Sequence, residues 1–322
     1  MKKLLILSLS LAFTFVLLGF SGGVAEAKEP DEFTLKEVQQ ILQDYFNENN
    51  FELQVGSQEY VEYLLLQLLD KHDENLSKHH QYDIIHYYMG EYLFQLDQHQ
   101  GEDGNIPADL WEMTIGDLKT EIEARNKAEV FKQDLFKSQA IEPQYSQVSA
   151  YNRTKVADYA KQYATRSNPN YKRYNLNCTN FVSQAIYAGG KTETKPSTVK
   201  SGITETTSYW YNDNYYSCTG SNSCYWRDKI STSWIRVTDF YSYWTKKGMT
   251  ATTSTSKSTI ISKANVGDII QFKNSSGWYH SVVVNRKANG TVYISSNTSD
   301  YYDQDFKNRG NDSLSFRVIN IK

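Results

Sequence analysis

Cysteine is scarce in this chain, which has three among its 322 residues, and none closely follows the apolar amino-terminal stretch. A lipid anchor on a cysteine at that point is therefore not expected. No later apolar run is long enough to span a bilayer. The sequence also lacks a phosphate-binding loop and a nucleic-acid-binding motif, so neither a cofactor nor a nucleic-acid partner is expected.

The first 27 residues have the composition of a targeting segment. Lys2 and Lys3 form a basic start, residues 4–20 are apolar, and residues 25–27 (Ala-Glu-Ala) match a small-x-small cleavage site. We therefore predict a signal peptide over residues 1–27 and a mature chain that begins near Lys28. The mature protein is expected to be secreted, or held loosely at the cell surface.

If the protein is exported, the bonding of its three cysteines can be inferred. Cys218 and Cys224 flank a turn-rich stretch, Thr-Gly-Ser-Asn-Ser, and in an oxidising compartment they are a natural disulfide pair. The alternative is a pair of free thiols in a chain that never oxidises. The disulfide leaves Cys178 unpaired, and an unpaired thiol in an exported protein needs a reason.

Net charge changes sign along the chain. Residues 28–140 hold 24 acidic and 9 basic residues, whereas residues 141–322 hold 12 acidic and 23 basic residues. These net charges, −15 and +11, predict two domains with different partners, joined by a linker near residues 141–147. They also favour docking of the acidic domain on the basic one at low salt. The alternative is that both charge excesses are solvated faces that never meet.

The acidic domain is predicted to be all helical. Thr34 and Glu37 have the spacing of a capping box, and apolar residues at helical spacing follow them. Further helices are expected over residues 58–71, 82–98 and 114–138. Five of the six histidines lie in this domain, including the adjacent His79 and His80, but no further ligand has a spacing that favours a metal site.

Residues 177–190 predict a helix that begins at a cysteine. Asn177 suits the N-cap, apolar residues recur on one face, and Gly189 and Gly190 end the helix. Cys178 then lies in the first turn, where the helix dipole lowers a thiol pKa and favours a nucleophilic thiolate. The alternative is a buried structural cysteine.

The rest of the basic domain is predicted as a helix, a loop-rich region and a sheet. The helix covers residues 154–164, and residues 191–262 are expected to be mostly loop and turn. Their many aromatic residues either floor a groove or form the core of that region. An antiparallel sheet is expected from four strands, over residues 266–272, 278–284, 291–297 and 313–321.

A single histidine, His280, lies in residues 141–322, at the start of the second predicted strand. A thiol on a helix N-terminus and an imidazole on a neighbouring strand are the two parts of a Cys/His nucleophilic site. If residues 289–290 (Asn-Gly) close a two-residue hairpin, Val282 faces Asn297, and Asn297 is a diagonal neighbour of His280. A bulge would instead send Asn297 to the other face, and Ser295 and Ser299 are weaker candidates for holding the ring.

Several motifs together resemble a known family. They are Tyr151-Asn-Arg153, Asn177-Cys-Thr-Asn-Phe-Val-Ser-Gln184, Gly267-Asp-Ile-Ile-Gln271, Trp278-Tyr-His280-Ser-Val-Val-Val284 and Thr298-Ser-Asp300. They resemble the "putative amidase domain" family of bacteria, which is similar to the papain-like cell-wall hydrolases of the CHAP and NlpC type. The likeness covers roughly residues 148–322. It departs from the family pattern at Asn177, where Asp is expected, and at Asn297, where His is expected.

The resemblance implies an α+β, papain-like catalytic domain over residues 141–322, preceded by the all-α acidic domain. Cys178 would be the nucleophile, His280 the base and Asn297 the residue that orients the base. The implied function is a secreted cysteine amidase or peptidase that acts on peptidoglycan stem peptides. The alternative is a non-catalytic cell-wall or protein-binding module on the same fold.

Two further expectations concern partners. A basic exported domain is expected to be drawn to anionic wall polymers. If the acidic domain docks over Cys178, it would restrain the hydrolase until such polymers compete for the basic face.

Overall fold

The computed structural model describes residues 28–100, 106–138, 151–219 and 223–322. The predicted signal peptide, linker and boundary between residues 140 and 141 lie outside these ranges. Among the helices within them, none has both the length and the hydropathy needed to cross a bilayer. The helices are α1 (Leu35–Glu48), α2 (Gln58–Asp70), α3 (Tyr82–Gln98), α4 (Ile115–Ser138), α5 (Arg153–Tyr163), α6 (Cys178–Ala188), α7 (Thr232–Ile235), α8 (Val237–Lys246) and α9 (Lys257–Lys263).

The helices of the acidic region agree closely with the sequence prediction. The Thr34 hydroxyl accepts the Glu37 backbone N–H, and the Glu37 carboxylate accepts the Thr34 backbone N–H, so the predicted capping box starts α1. The third helix has the predicted bounds, and the second ends within one residue of its prediction. Local signals decide these elements, because the caps of α1 and α2 and the apolar periodicity of all three helices involve residues close in sequence.

The strands are β1 (Gly202–Thr204), β2 (Tyr215–Thr219), β3 (Ser223–Arg227), β4 (Lys229–Ser231), β5 (Thr250–Ser254), β6 (Ile269–Lys273), β7 (Trp278–Ala288), β8 (Thr291–Ser296), β9 (Tyr301–Asp305) and β10 (Ser315–Asn320). Six of them form an antiparallel sheet in the order β5-β10-β6-β7-β8-β9. The four predicted strands are its centre. Both edge strands were missed because β5 and β9 lack apolar alternation and pair on one side only.

The prediction that residues 191–262 are mostly loop is wrong. This region contains β1 to β5, α7, α8 and part of α9. Three of its aromatic residues, Trp210, Trp234 and Trp244, do not floor a groove and are buried in one apolar cluster with α5 and α6. The indole rings of Trp210 and Trp234 stack with their centroids 4.3 Å apart. The core alternative is therefore the correct one for these three residues.

The predicted Asn-Gly hairpin joins β7 to β8, and its register changes along the ladder. Asn289 and Gly290 both have positive φ, and Ala288 pairs with Thr291 as predicted. A bulge between Val284 and Arg286 then shifts the register by one residue. Asn297 is therefore not on the face that the unbroken register would give it.

The two faces of the sheet pack against different layers. Ile269 and Val283 face α5, α6 and the tryptophan cluster, whereas Ile270 and Val282 face the helices of the acidic region. The second face and the acidic helices form one continuous apolar cluster, which includes Leu65, Leu68 and Leu93. The contact between the two regions thus combines apolar burial with ion pairs such as Arg309–Asp70 and Arg317–Glu129. Added salt is therefore expected to weaken the contact between the two regions much less than it would weaken a contact held by charge alone.

Gly189, at the end of α6, allows α5 and α6 to approach closely. A Cβ at this position would lie 2.5 Å from the Val156 Cγ2 atom and 2.7 Å from the Tyr151 Cε2 atom. We expect Gly189→Ala to lower the free energy of unfolding by about 1–3 kcal/mol through overpacking. Chemical denaturation measures the change, with Lys161→Ala on the exposed side of α5 as the control. Equal stability of Gly189→Ala and the parent chain would show that this contact is not tight.

Candidate active site

Cys178 is the first residue of α6, and its side chain is enclosed. Cys178 forms a small buried cluster with Val237 and Trp278 and is 1% exposed. Asn177 occupies the N-cap position but caps with no side-chain hydrogen bond, contrary to the prediction. Its side-chain oxygen instead accepts the Tyr174 backbone N–H and the Asn180 amide. Asn177 therefore tightens the turn that leads into α6.

The thiol pKa is opposite to the sequence expectation. Burial, together with the neighbouring Asp97 carboxylate, raises the pKa of Cys178 to about 12. Backbone N–H groups of Ser281 and Thr179 lower this pKa, but by less than burial raises it. Desolvation thus outweighs the helix N-terminus, and the thiol is protonated at neutral pH in this arrangement.

His280 lies on β7 with its ring in the apolar core. It is fully buried, and its ring packs beside Phe272 and Tyr279 at centroid separations of 5.7 and 6.3 Å. Neither ring nitrogen has a hydrogen-bond partner among the described residues. Burial, with the nearby Arg309 cation, lowers the pKa of His280 to about 3. The imidazole is therefore neutral.

Cys178 and His280 lie beside the same segment of β7 without being joined. Ser281, which follows His280, directs its hydroxyl to the Thr179 hydroxyl of α6 at 3.1 Å. The Ser281 backbone N–H acts on the Cys178 thiol. No hydrogen bond links the thiol to either imidazole nitrogen. His280 shares its face of β7 with Val282, which packs on the acidic helices, whereas Ser281 faces α6. The structure thus places the predicted base on the face of β7 opposite to the one that contacts α6, and the proton-transfer contact between Cys178 and His280 is not formed.

Asn297 does not orient His280. Its side-chain oxygen accepts Arg173 Nη1 at 2.7 Å and Asn177 Nδ2 at 2.5 Å, and its own amide donates to the Ala164 carbonyl at 3.1 Å. The predicted contact is wrong because the bulge in β7 shifts the register before residue 297. Asn297 instead fixes the segment that enters α6.

The two weaker candidates do not contact the imidazole either. The Ser295 hydroxyl donates to Asn285 Oδ1 at 2.8 Å and accepts the Asp303 backbone N–H. The Ser299 hydroxyl has no hydrogen-bond partner among the described residues. Neither serine hydrogen-bonds to His280, so the residue that would hold its ring is not identified by this arrangement.

The role of Asn297 in the structure leads to a stability prediction. Asn297→Ala removes the acceptor for two donors, one of them the buried Asn177 amide. We expect a loss of about 1–3 kcal/mol in the free energy of unfolding, because a buried donor is left unsatisfied. Thermal and chemical denaturation measure it, with the exposed Asn311→Ala as a matched amide control. Unchanged stability would contradict this assignment.

The end of α3 covers the thiol, and sequence reasoning missed it. Asp97 is 1% exposed, and its two carboxylate oxygens accept the Val237 backbone N–H at 3.1 and 3.3 Å. Burial raises the pKa of Asp97 to about 8, although the Arg236 cation opposes this rise. Gln100 donates to the carbonyl of Leu176, two residues before the cysteine, at 2.7 Å. Nothing in the sequence distinguishes Asp97 from the solvated carboxylates of the acidic region.

A chain of polar side chains runs from the cysteine helix across the sheet. The Thr179 hydroxyl meets the Ser281 hydroxyl, which accepts Gln271 Nε2 at 3.0 Å. The Gln271 oxygen accepts Arg317 Nε at 2.6 Å, and Arg317 is 1% exposed. The chain therefore connects the start of α6 to a buried guanidinium on β10.

The predicted disulfide is confirmed. Cys218 and Cys224 are bonded and directly opposite each other on β2 and β3. Cys178 remains as the free, buried thiol. The unpaired cysteine is thus the one that begins α6.

Comparisons with known proteins show that the part of the chain containing Cys178 and His280 matches one family. The family model described as "Putative amidase domain" matches residues 150–319. The "Uncharacterized protein YhbB" of Bacillus subtilis (strain 168) is 45% identical over 40 residues, or 12% of this chain and 13% of that protein. The match therefore spans only a small part of that relative's length. No solved structure matches the chain significantly.

Proposed function

Because the chain belongs to the amidase-domain family, whose model matches residues 150–319, we propose that it is a cysteine amidase with Cys178 as nucleophile. One observation carries the proposal. The free thiol begins a helix whose first turn abuts β7 beside His280, the single histidine in the matched region. A helix-borne cysteine on an antiparallel sheet also supports a papain-like arrangement, which we propose for this region.

The proposed reaction has two stages. In the open site, His280 takes the Cys178 proton, and the thiolate attacks the carbonyl carbon of the amide. The C–N bond breaks, the amine leaves with the proton from the imidazolium, and a thioester remains. Water, deprotonated by His280, then attacks the thioester and releases a carboxylic acid and the thiol.

The Val237 backbone N–H is our candidate donor for the oxyanion. Val237 belongs to the same buried cluster as Cys178, and its N–H donates to the Asp97 carboxylate, which raises the thiol pKa. A backbone N–H in that place could stabilise the negative charge that develops on a substrate carbonyl oxygen. When the acidic helices are packed on the sheet, the Asp97 carboxylate would occupy the position that the substrate oxyanion takes in the open site.

We further propose that the packed chain is a resting form, restrained by its own acidic region. Asp97 and Gln100 cover the thiol side, and Gln98 donates to the Thr238 hydroxyl at 3.4 Å. Cys178 and His280 are both buried and neutral, and the imidazole lies on the face of β7 away from α6. Catalysis therefore requires the end of α3 to move away and β7 to shift so that the imidazole reaches the thiol. Displacement would hydrate the thiol and lower its pKa towards the ordinary value.

The substrate and location are proposals from the sequence. The signal peptide, the family resemblance and the basic charge of residues 141–322 support a secreted enzyme that acts on peptidoglycan stem peptides. Anionic wall polymers remain the candidate partner that would compete for the basic face. Digestion of purified peptidoglycan, with the product masses measured, tests this substrate. Products that retain every amide bond would reject it.

A binding module on the same fold is the second candidate. It is favoured by His280, because within the described parts of the chain no hydrogen-bond partner holds either ring nitrogen and orients the base. The two candidates differ in turnover. A module would hold stem peptides without releasing any new amine or carboxyl group, whereas an amidase releases both in equal amounts.

A further inference from the structure

A cavity lies beside Trp278, a member of the small buried cluster that contains Cys178 and Val237. Its volume is about 320 Å³, and its lining includes Phe94, Glu129, Tyr241, Trp278 and Arg317. Trp278 belongs to the same buried cluster as Cys178, so this cavity adjoins the cluster that holds the thiol. The lining combines side chains of the acidic helices with side chains of the sheet.

Arg317 is a buried cation in the cavity wall. Its guanidinium lies between the rings of Tyr241 and Trp278, at 3.6 and 3.9 Å from their centroids. Nε donates to Gln271, and Nη1 donates to Glu129 at 3.1 Å. Its Nη2 is buried without a hydrogen-bond partner among the described residues. The site therefore retains unused capacity to donate to an anion.

Three donors converge on the carboxylate of Glu129. Trp278 Nε1 donates to Oε1 at 2.6 Å, Arg317 Nη1 donates to the same oxygen, and Lys273 Nζ lies 3.4 Å from Oε2. All three donors lie in the region matched by the family model, whereas Glu129 lies on α4, outside it. A carboxylate from another part of the chain thus fills a site built by the sheet.

The buried charge of Arg317 depends on α4, because that helix supplies the Glu129 carboxylate that pairs with it. Burial lowers the pKa of Arg317 to about 10, and Glu129 opposes that change, so the guanidinium is a cation at neutral pH. A buried cation is strongly destabilising when its partner is removed. If α4 moves away when the acidic region opens, the guanidinium needs another anion.

We propose that this cavity is a carboxylate-binding subsite, filled by Glu129 in the resting chain and by a free carboxylate of the substrate in the open one. The substrate class is then an acidic peptide whose carboxylate lies near the amide that is cleaved. The link to cleavage rests on the proposed function, but the binding of a carboxylate does not. The polar chain through Gln271 and Ser281 connects this subsite to the helix that carries the thiol.

Binding without turnover tests the proposal. In a Cys178→Ala background, Glu129→Ala empties the subsite, and the control Glu123→Ala removes an exposed carboxylate from the same helix. Three probes are titrated by calorimetry: N-acetyl-Ala-Glu-amide with a side-chain carboxylate, N-acetyl-Ala-Gln with a C-terminal carboxylate, and N-acetyl-Ala-Gln-amide with neither. We expect Glu129→Ala to bind at least one carboxylate probe about tenfold more tightly than the control, and the neutral probe no more tightly.

Two further variants test whether the carboxylate probe binds in this cavity. Arg317→Gln and Trp278→Phe, each added to Glu129→Ala, should weaken carboxylate binding by about tenfold. Trp278→Phe retains an aromatic side chain but removes the indole N–H donor, so it serves if Arg317→Gln does not fold. Failure of both carboxylate probes, equal binding of the neutral probe, or binding that Trp278→Phe leaves unchanged would overturn the proposal. Because no step requires hydrolysis, an inactive parent chain would reject the proposed function and leave this result intact.

Discussion

Replacing Cys178 by alanine is expected to lower the rate of amide hydrolysis by about four orders of magnitude or more. The thiol is the proposed nucleophile, and the neighbouring Thr179 hydroxyl cannot replace it because it already meets Ser281. The fold should persist, since the change removes one buried sulfur atom and leaves α6 in place. Release of new amino groups from purified peptidoglycan, followed by mass analysis, measures the rate.

The matched control for Cys178→Ala is the double variant Cys218→Ala, Cys224→Ala. It removes the other two cysteines and their disulfide, which joins the hairpin of β2 and β3. Its turnover should stay close to that of the parent chain. Turnover by Cys178→Ala at the parent rate would mean that another group attacks the amide, and the nucleophile assignment would be wrong.

Labelling of Cys178 by a thiol reagent is expected to be slow in the intact chain. The pKa of this thiol is raised to about 12 from an ordinary value of 9.0, so its thiolate fraction at pH 7 is about a thousandfold lower. The rate should rise about tenfold per pH unit from pH 7 to pH 10, with no plateau in that range. Because Cys178 is the free cysteine, mass spectrometry reports its labelling directly.

The same measurement separates the resting form from an open site. The thiol in denaturant should react about a thousandfold faster at pH 7 than in the folded chain, because burial is the main cause of its raised pKa. Fast labelling of the folded chain at pH 7 would contradict the covered thiol. It would mean that the end of α3 leaves the site open much of the time.

Asp97→Asn should speed labelling of the folded chain. The Asp97 carboxylate raises the thiol pKa, and its own pKa is about 8, so its charge acts mainly above pH 8. We expect an increase of about tenfold at pH 9, where one pKa unit of the thiol corresponds to a tenfold change. Asp83→Asn, exposed on the same helix, is the control and should change nothing. Equal rates for both variants would place the cause of the slow reaction in burial alone.

Local features of the site region could be predicted because neighbouring residues decide them. The capping box at Thr34, the bounds of α3, the Asn-Gly hairpin and the short disulfide all involve residues close in sequence. The start of α6 at Cys178 was likewise predictable from residues close in sequence. The thiol pKa could not be predicted in this way. The helix dipole is a local effect, whereas the burial that raises this pKa depends on what packs over the helix.

The sequence by itself determined which residues are available: one free thiol on a helix start, one histidine on a strand, and a family motif around both. Only the tertiary structure decided their environment. The bulge after Val284 moved Asn297 away from His280, because a shift of one residue exchanges the faces of a strand. The acidic helices brought Asp97 to the thiol and Glu129 to Arg317, through contacts that join residues more than 80 positions apart. Such contacts form because the apolar faces of helix and sheet bury each other, and no spacing within either segment records their register.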